Sequence, residues 1–283
     1  MAFGQISILG VGLLGGSIGL AMRKIQPDCR IIGYGHRQET LDRAMQMGAI
    51  DQGLTNVAAA VAGSNLVILC TPVGTFENLL KEIASALAEG CIVTDVGSTK
   101  RSVVELAEKI LPPNVHFVGS HPMAGSEKRG VEFAQADLFR NAICILTPTA
   151  RTDSEALKEV GTFWLSLGMG ICRLTAENHD HILADVSHLP HLLAAALVAI
   201  QPAESSLLRG KGFLDATRIA AGDAVLWRDI LMDNSKNLQH SISRLQQELQ
   251  KIVSMLQNGD SEGIRQWLAD AAARREQLGA EPL

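Results

Sequence analysis

Aromatic side chains make up only 4% of these 283 residues, with a single tyrosine, whereas apolar residues reach 47%. A chain rich in Ala, Leu, Val and Gly in this way has the composition of an ordinary soluble enzyme, and intrinsic disorder is not expected. Its length exceeds one typical domain and suffices for sizeable cores, so two domains are the starting expectation. No long Lys/Arg block occurs and the net charge is −5. A general nucleic-acid or anionic-membrane surface is therefore not indicated, although a small basic pocket stays open. The five cysteines, Cys29, Cys70, Cys91, Cys144 and Cys172, form no C-x-x-C pair and lie mostly in apolar runs. They read as buried thiols in a reducing cytoplasm. No basic segment precedes a long apolar stretch at the start, and glycines break the first hydrophobic run; neither a signal peptide nor a membrane span is expected. Internal repeats and low-complexity linkers are also missing.

What is present is alternation. Short β-branched runs at 6–9, 30–34, 66–70, 91–95, 116–119 and 142–146 read as buried parallel strands, with helical spacing between them at 15–24, 40–47, 74–88 and 102–110. A helix over 153–167 and a last strand over 170–174 complete an α/β, doubly wound Rossmann-type sheet, placed at 1–174. From Thr175, a natural helix cap, strand signals stop, and an all-helical C-terminal domain is expected over 175–283. Its first helix should run past Pro190 with a kink there. Leu238, Ile242, Leu245, Leu249, Ile252 and Leu256 form a helix-packing seam that either closes one subunit's core or joins two subunits in a homodimer. A final helix spans about 260–277.

Gly10-Val11-Gly12-Leu13-Leu14-Gly15 sits between the first strand and the first helix, the context a dinucleotide fingerprint requires. Gly10 permits the turn and Gly12 lets a pyrophosphate approach the helix amides around Leu13 and Leu14. Gly15 lets helix and sheet pack closely. At the end of the second strand, where an acidic residue usually holds the adenosine ribose, the chain reads Gly33-Tyr34-Gly35-His36-Arg37. With Gly35 in place of a carboxylate, and with Arg37 and His36 beside it, a 2′-phosphate would be held and not repelled; NADP is the expected cofactor, NAD the alternative. Thr71, Pro72 and Ser98 lie at further strand ends facing the same crevice.

His121 follows the strand expected to end at Gly119, so it should point into that crevice. A neutral imidazole there could accept a hydroxyl proton while hydride leaves the same carbon. Ser98 could donate a hydrogen bond to that hydroxyl, and Glu127 could orient the site or reach substrate through water.

Five segments then give a specific resemblance: residues 10–17, 94–100 (TDVGSTK), 121–127 (HPMAGSE), 187–191 (SHLPH) and 212–220 (GFLDATRIA). Together, in this order, they resemble the prephenate/arogenate dehydrogenase family of tyrosine biosynthesis. The resemblance implies oxidative decarboxylation of a cyclohexadienol, in which hydride leaves C4, the C4 hydroxyl proton goes to a base and CO₂ leaves C1. It implies His121 as that base, with Ser98 in support and Arg218 binding a substrate carboxylate. Ser126 and Trp227 would lie near the substrate. No mutase or regulatory module is legible in the chain, so tyrosine would be expected to inhibit by competition in the active site.

On the helix after Thr175, His181, Asp185 and His188 fall at i, i+4 and i+7, with Ser187 and His191 beside them. So polar a stripe on a buried helix needs ligands or partners, and substrate contact is expected for His188 and His191. No metal is expected, because nothing in the chemistry calls for one. An extra carboxylate near the substrate side chain would favour arogenate over prephenate, and Asp180, Asp185, Asp215 and Asp223 are all candidates. Two other classes compete. A β-hydroxyacid-type dehydrogenase would carry a catalytic lysine on the long helix, but none occurs between Glu177 and Gln201. A non-catalytic NADP-binding protein would account for the glycine loop alone.

Overall fold

The structure is a computed structural model, which describes residues 3–126, 128–202 and 208–280. Its strands are β1 (Gln5–Leu9), β2 (Arg30–Tyr34), β3 (Gln52–Leu54), β4 (Leu66–Leu69), β5 (Ile92–Asp95), β6 (His116–Pro122), β7 (Ile143–Thr147) and β8 (Gly170–Arg173). They form one sheet in the order β3-β2-β1-β4-β5-β6-β7-β8. Strand order reverses between β1 and β4, which opens a crevice at their carboxyl ends. Successive side chains alternate faces, so Ile8 joins Ile6, Ile18 and Trp164 on one side while Leu9 joins Leu69, Phe76 and Val93 on the other.

The helices of this part are α1 (Leu13–Ile25), α2 (Gln38–Gln46), α3 (Val57–Val61), α4 (Phe76–Ile83), α5 (Arg101–Ile110) and α6 (Ser154–Ser166). β3 and α3 were not expected: a three-residue strand containing glycine has no apolar run to announce it, and α3 is a short alanine-rich helix capped by Asn56. β7 runs antiparallel to β6, against the expectation of an all-parallel sheet. β6 also continues beyond Gly119. Its pairing with β5 ends at Val118, but pairing with β7 carries it through Pro122, so His121 lies inside a strand opposite Ile145.

After β8 the described chain is helical: α7 (Ala176–Leu183), α8 (Leu189–Ala199), α9 (Lys211–Thr217), α10 (Ala224–Asp233), α11 (Ser235–Gln257) and α12 (Ser261–Ala280). Thr175 caps α7 as expected, its hydroxyl accepting from the Asn178 amide at 3.2 Å. Between α7 and α8 the helix widens into a π turn at Ala184–His188, just ahead of Pro190. A π turn adds a residue to one turn, and this rotates every later side chain relative to a regular helix. Ala176–Ala199 is long and apolar enough to cross a membrane by length and composition, which the sequence reading did not single out. Its α7 half packs against α5 and α11.

Candidate active site

The glycine loop is built for close approach. Gly10 has φ +104°, and a β-carbon there would lie 2.8 Å from the Cys70 carbonyl carbon, so only glycine lets the ends of β1 and β4 come together. A β-carbon on Gly15 would collide with the Gly10 carbonyl oxygen, whereas one on Gly12 would meet nothing within 4 Å. α1 starts at Leu13 without a side-chain cap, leaving its first amides for a ligand. An open face above uncapped amides fits a dinucleotide pyrophosphate. Across the crevice the Thr71 and Thr75 hydroxyls bond at 2.7 Å, and Thr75 donates to the Pro72 carbonyl at 2.8 Å. At the end of β2, Gly35 is half-buried and His36 and Arg37 are exposed, with the Tyr34 hydroxyl 3.3 Å from His36 Nδ1.

Asp95, at the end of β5, organises the neighbouring loops. One carboxylate oxygen accepts the Ser120 amide at 3.0 Å; the other accepts the Gly97 amide at 2.8 Å and pairs with Lys100 Nζ. Asp95 and Lys100 are both fully buried. One carboxylate thus holds the amide preceding Ser98 and the amide preceding His121. Charges this deep are tolerated only when paired and hydrogen-bonded.

His121 is buried, 7% exposed, with Nδ1 2.9 Å from His179 Nε2. Burial first, and then the neighbouring His179, Lys100 and His188, hold it well below the ordinary histidine range. His179 Nδ1 lies 2.8 Å from Asp180 Oδ1, and burial outweighs this carboxylate in keeping His179 lowered too. Burial alone would raise Asp180, but bonds from His179 and from the Arg101 and Lys100 amides hold it below its usual value. Sequence reading missed His179. It shares a face with Ala176 and Leu183, both buried, and that spacing was the available signal.

The expected stripe is redistributed by the π turn. His181 is exposed, and Asp185 is committed to α11, accepting from Ser241 Oγ at 2.6 Å and pairing with Arg244 at 2.8 Å. His188 is fully buried: Nδ1 lies 3.1 Å from Asn234 Nδ2, and Nε2 has no hydrogen-bond partner. Burial pushes this ring down to about 4. His191 stacks on Trp227 at 3.5 Å with planes 10° apart, and burial lowers it as well. Trp227 also meets His188 edge-on at 6.3 Å. A cavity of about 280 Å³ beside this stack is lined by Ser126, His191, Arg218, Asp223 and Trp227 among others. Asp223 caps α10 and pairs with Arg129 at 2.5 Å. The residues fall into two groups: His121 bonds His179, whereas Ser126, His191, Arg218 and Trp227 line the cavity, and Trp227 meets His188 edge-on. Glu127 lies outside the described residues. Among the described residues no cluster of His, Cys, Asp or Glu could hold a metal.

A glycine fingerprint at a sheet switch point, with a buried neutral histidine at a nearby strand end, defines a nicotinamide-nucleotide-dependent oxidoreductase. Two family models cover the chain, the prephenate dehydrogenase nucleotide-binding domain over 18–172 and the prephenate dehydrogenase dimerization domain over 175–270. The chain is 36% identical over 96% of its length to the prephenate dehydrogenase of Bacillus subtilis, covering 76% of that protein. It is 32% identical to the cyclohexadienyl dehydrogenase of Zymomonas mobilis, covering 96% of this chain and 95% of that one. The crystal structure of prephenate dehydrogenase from Aquifex aeolicus, in complex with hydroxyphenyl propionate and NAD+, superposes with a TM-score of 0.91. Its identity is 33%, over 98% of this chain and 99% of that one. The chain belongs to the prephenate dehydrogenase family.

Proposed function

We propose that this enzyme carries out NADP-dependent oxidative decarboxylation of prephenate, arogenate or both, with His121 as the base. The observation that carries the reading is a buried, neutral imidazole whose Nδ1 is engaged by His179, leaving Nε2 as the nitrogen available to a substrate hydroxyl. A nicotinamide held by the glycine loop would supply the acceptor for the hydride lost from the C4–H bond of the substrate ring. His121 Nε2 takes the C4 hydroxyl proton as that C–H bond breaks, Ser98 donates to the same oxygen, and the electrons of the C1–carboxylate bond close the aromatic ring as CO₂ departs. The proton then returns to the phenolic oxygen. Since the Asn234 amide donates to Nδ1 of neutral His188, that ring's proton sits on Nε2, and the ring meets the backbone of Ser98, the residue assigned to the substrate hydroxyl. Arg218, Ser126, His191 and Trp227 would form the wall that receives the rest of the substrate, with Arg218 binding a carboxylate.

The NADP preference rests on Arg37 and His36 beside Gly35, which stands where the usual ribose-binding carboxylate would repel a 2′-phosphate. It departs from the NAD+ present in the Aquifex complex. Five free thiols, Cys29, Cys91 and Cys144 buried, suit a reducing cytoplasm. The α11 seam favours a homodimer: Leu238 is buried within the subunit, but Leu249 is 54% and Leu256 63% exposed, so its far half lacks cover. The deciding experiment assays prephenate and arogenate, each with NADP and NAD, following cofactor reduction and CO₂ release. Turnover with neither substrate would refute the reading. A higher kcat/KM with NAD would refute the cofactor assignment alone.

A further inference from the structure

We propose that His179 and Asp180 are positioning residues that fix the tautomer of His121 from behind. This rests on His121 being the base. At the start of α5, the amides of the cap residue Lys100 and of Arg101 donate to Asp180 at 2.8 and 3.0 Å. A carboxylate at a helix N-terminus, held by two amides, stays ionised and can only accept. His179 Nδ1, 2.8 Å from Asp180 Oδ1, must therefore carry a proton. In the neutral ring this leaves Nε2 unprotonated, so it accepts from His121 Nδ1 at 2.9 Å. His121 then has its proton on Nδ1 and its lone pair on Nε2, the form in which Nε2 can take a proton. After transfer, the imidazolium keeps its Nδ1 proton directed at His179 Nε2, and no second proton has to move. Each link is a donor facing an acceptor, and reversing any of them would face two donors or two acceptors.

The arrangement also predicts how it fails. A proton on His179 turns Nε2 into a donor, forces His121 Nδ1 to accept and leaves the His121 proton on Nε2, where it blocks the reaction. Either histidine can thus be the group whose protonation ends activity, and the two titrate as a pair. The charged or titratable groups around them are Asp95 from β5, Lys100 from the loop after it, Asp180 from α7, His188 from the π turn and the Cys144 thiol from β7. The sequence order helps: Asp180 directly follows His179, so one turn of α7 supplies both members, while α5 anchors the carboxylate.

The test uses the full-length enzyme with whichever substrate it turns over. His179→Leu removes the acceptor, and His179→Gln puts an amide oxygen near the place of Nε2. The expected result is a loss in kcat of roughly 10- to 100-fold for His179→Leu, with KM nearly unchanged and the thermal midpoint retained, and recovery of most of that loss in His179→Gln. Asp180→Asn removes the negative charge that favours the protonated pair, so its kcat/KM acid limb should move to lower pH while the plateau falls. Wild-type kcat in His179→Leu, a His179→Gln enzyme no better than His179→Leu, or an unmoved acid limb in Asp180→Asn would overturn the relay. His121→Asn is the separate control: near-normal turnover there removes the base itself, whereas a loss there with an unaffected His179→Leu removes the relay alone.

Discussion

Replacing Gly222 by alanine should damage substrate binding without touching the groups assigned to proton transfer. Gly222 ends a short 3₁₀ turn with φ −60° and ψ 163°, a conformation alanine adopts freely, so backbone strain makes no contribution. The effect is steric. A β-carbon there would sit 2.6 Å from Trp227 Nε1 and 2.9 Å from His191 Cε1, both closer than real β-carbons approach. The rings are stacked at 3.5 Å and cannot retreat independently, so the pair must slide by several tenths of an ångström towards the cavity they line. Overpacking of this kind costs about 1–3 kcal/mol. If that cost falls on the substrate complex, KM rises by roughly 5- to 150-fold, because about 1.4 kcal/mol is tenfold in binding. kcat should fall much less, since His121 and His179 are bonded to each other and not to this stack. Initial rates across substrate concentration, with a thermal melt in parallel, decide the matter. A lowered melting temperature with unchanged KM would show that the stack braces the helices and does not receive substrate, and the placement of the substrate beside His191 and Trp227 would be wrong.

Three further outcomes follow from the same geometry. Arg218→Gln should raise KM far more than it lowers kcat, because a grip on a carboxylate that departs as CO₂ aligns the substrate without favouring the transition state; steady-state kinetics showing a pure kcat loss would contradict it. Arg37→Ala should raise KM for NADP while leaving that for NAD nearly unchanged, and equal effects on both cofactors would remove Arg37 from phosphate recognition. Stability should fall with acid between about pH 6.5 and 4. His188 is held near 4 when folded but has its ordinary value of 6.5 when unfolded, so the unfolded chain binds the extra proton in that window; the full shift corresponds to on the order of 3 kcal/mol. His121, His179 and His191 shift in the same direction. Thermal midpoints that stay flat across that range would refute the buried neutral assignment.

The sheet was legible because strand and helix periods differ and each run was bounded by glycine, proline or a cap. What escaped followed from two local irregularities. The first is that His121 belongs to β6 and not to the loop after it: β5 stops pairing at Val118, and only the antiparallel partner β7, whose direction no single-strand pattern encodes, extends the strand. The second is the π turn at Ala184–His188. A regular 3.6-residue period aligns His181, Asp185 and His188; the added residue breaks that alignment, leaves His181 in solvent and turns Asp185 towards Arg244. His179, ahead of the turn, lies on the opposite side of α7 from His181, buried with Ala176 and Leu183, and so has no place in that stripe. Of the acidic residues considered for substrate choice, Asp180 and Asp185 are occupied by protein partners, Asp215 is exposed, and Asp223, which lines the cavity, is itself committed to the α10 cap and to Arg129.

His121 is braced from two directions, by the sheet and by the helices that follow it. From the sheet, Asp95 fixes the Ser120 amide and, through Gly97, the loop that carries Ser98. From the helices, Asp180 reaches back to the amides of α5 while its neighbour His179 bonds His121. Neither brace alone determines the imidazole: a strand residue held only by its backbone can still rotate its ring, and a ring held only by a histidine partner moves wherever that helix moves. Together they would fix both the place of the ring and the nitrogen that bears its lone pair. Separating α7 from α5 would break the Asp180 bonds to Lys100 and Arg101 first, and with them the reason His179 accepts a proton from His121 and does not offer one. If His121 is the base, its proton-accepting form is a property of the packed interface between the sheet and α7, which a histidine near a strand end, read by itself, does not reveal.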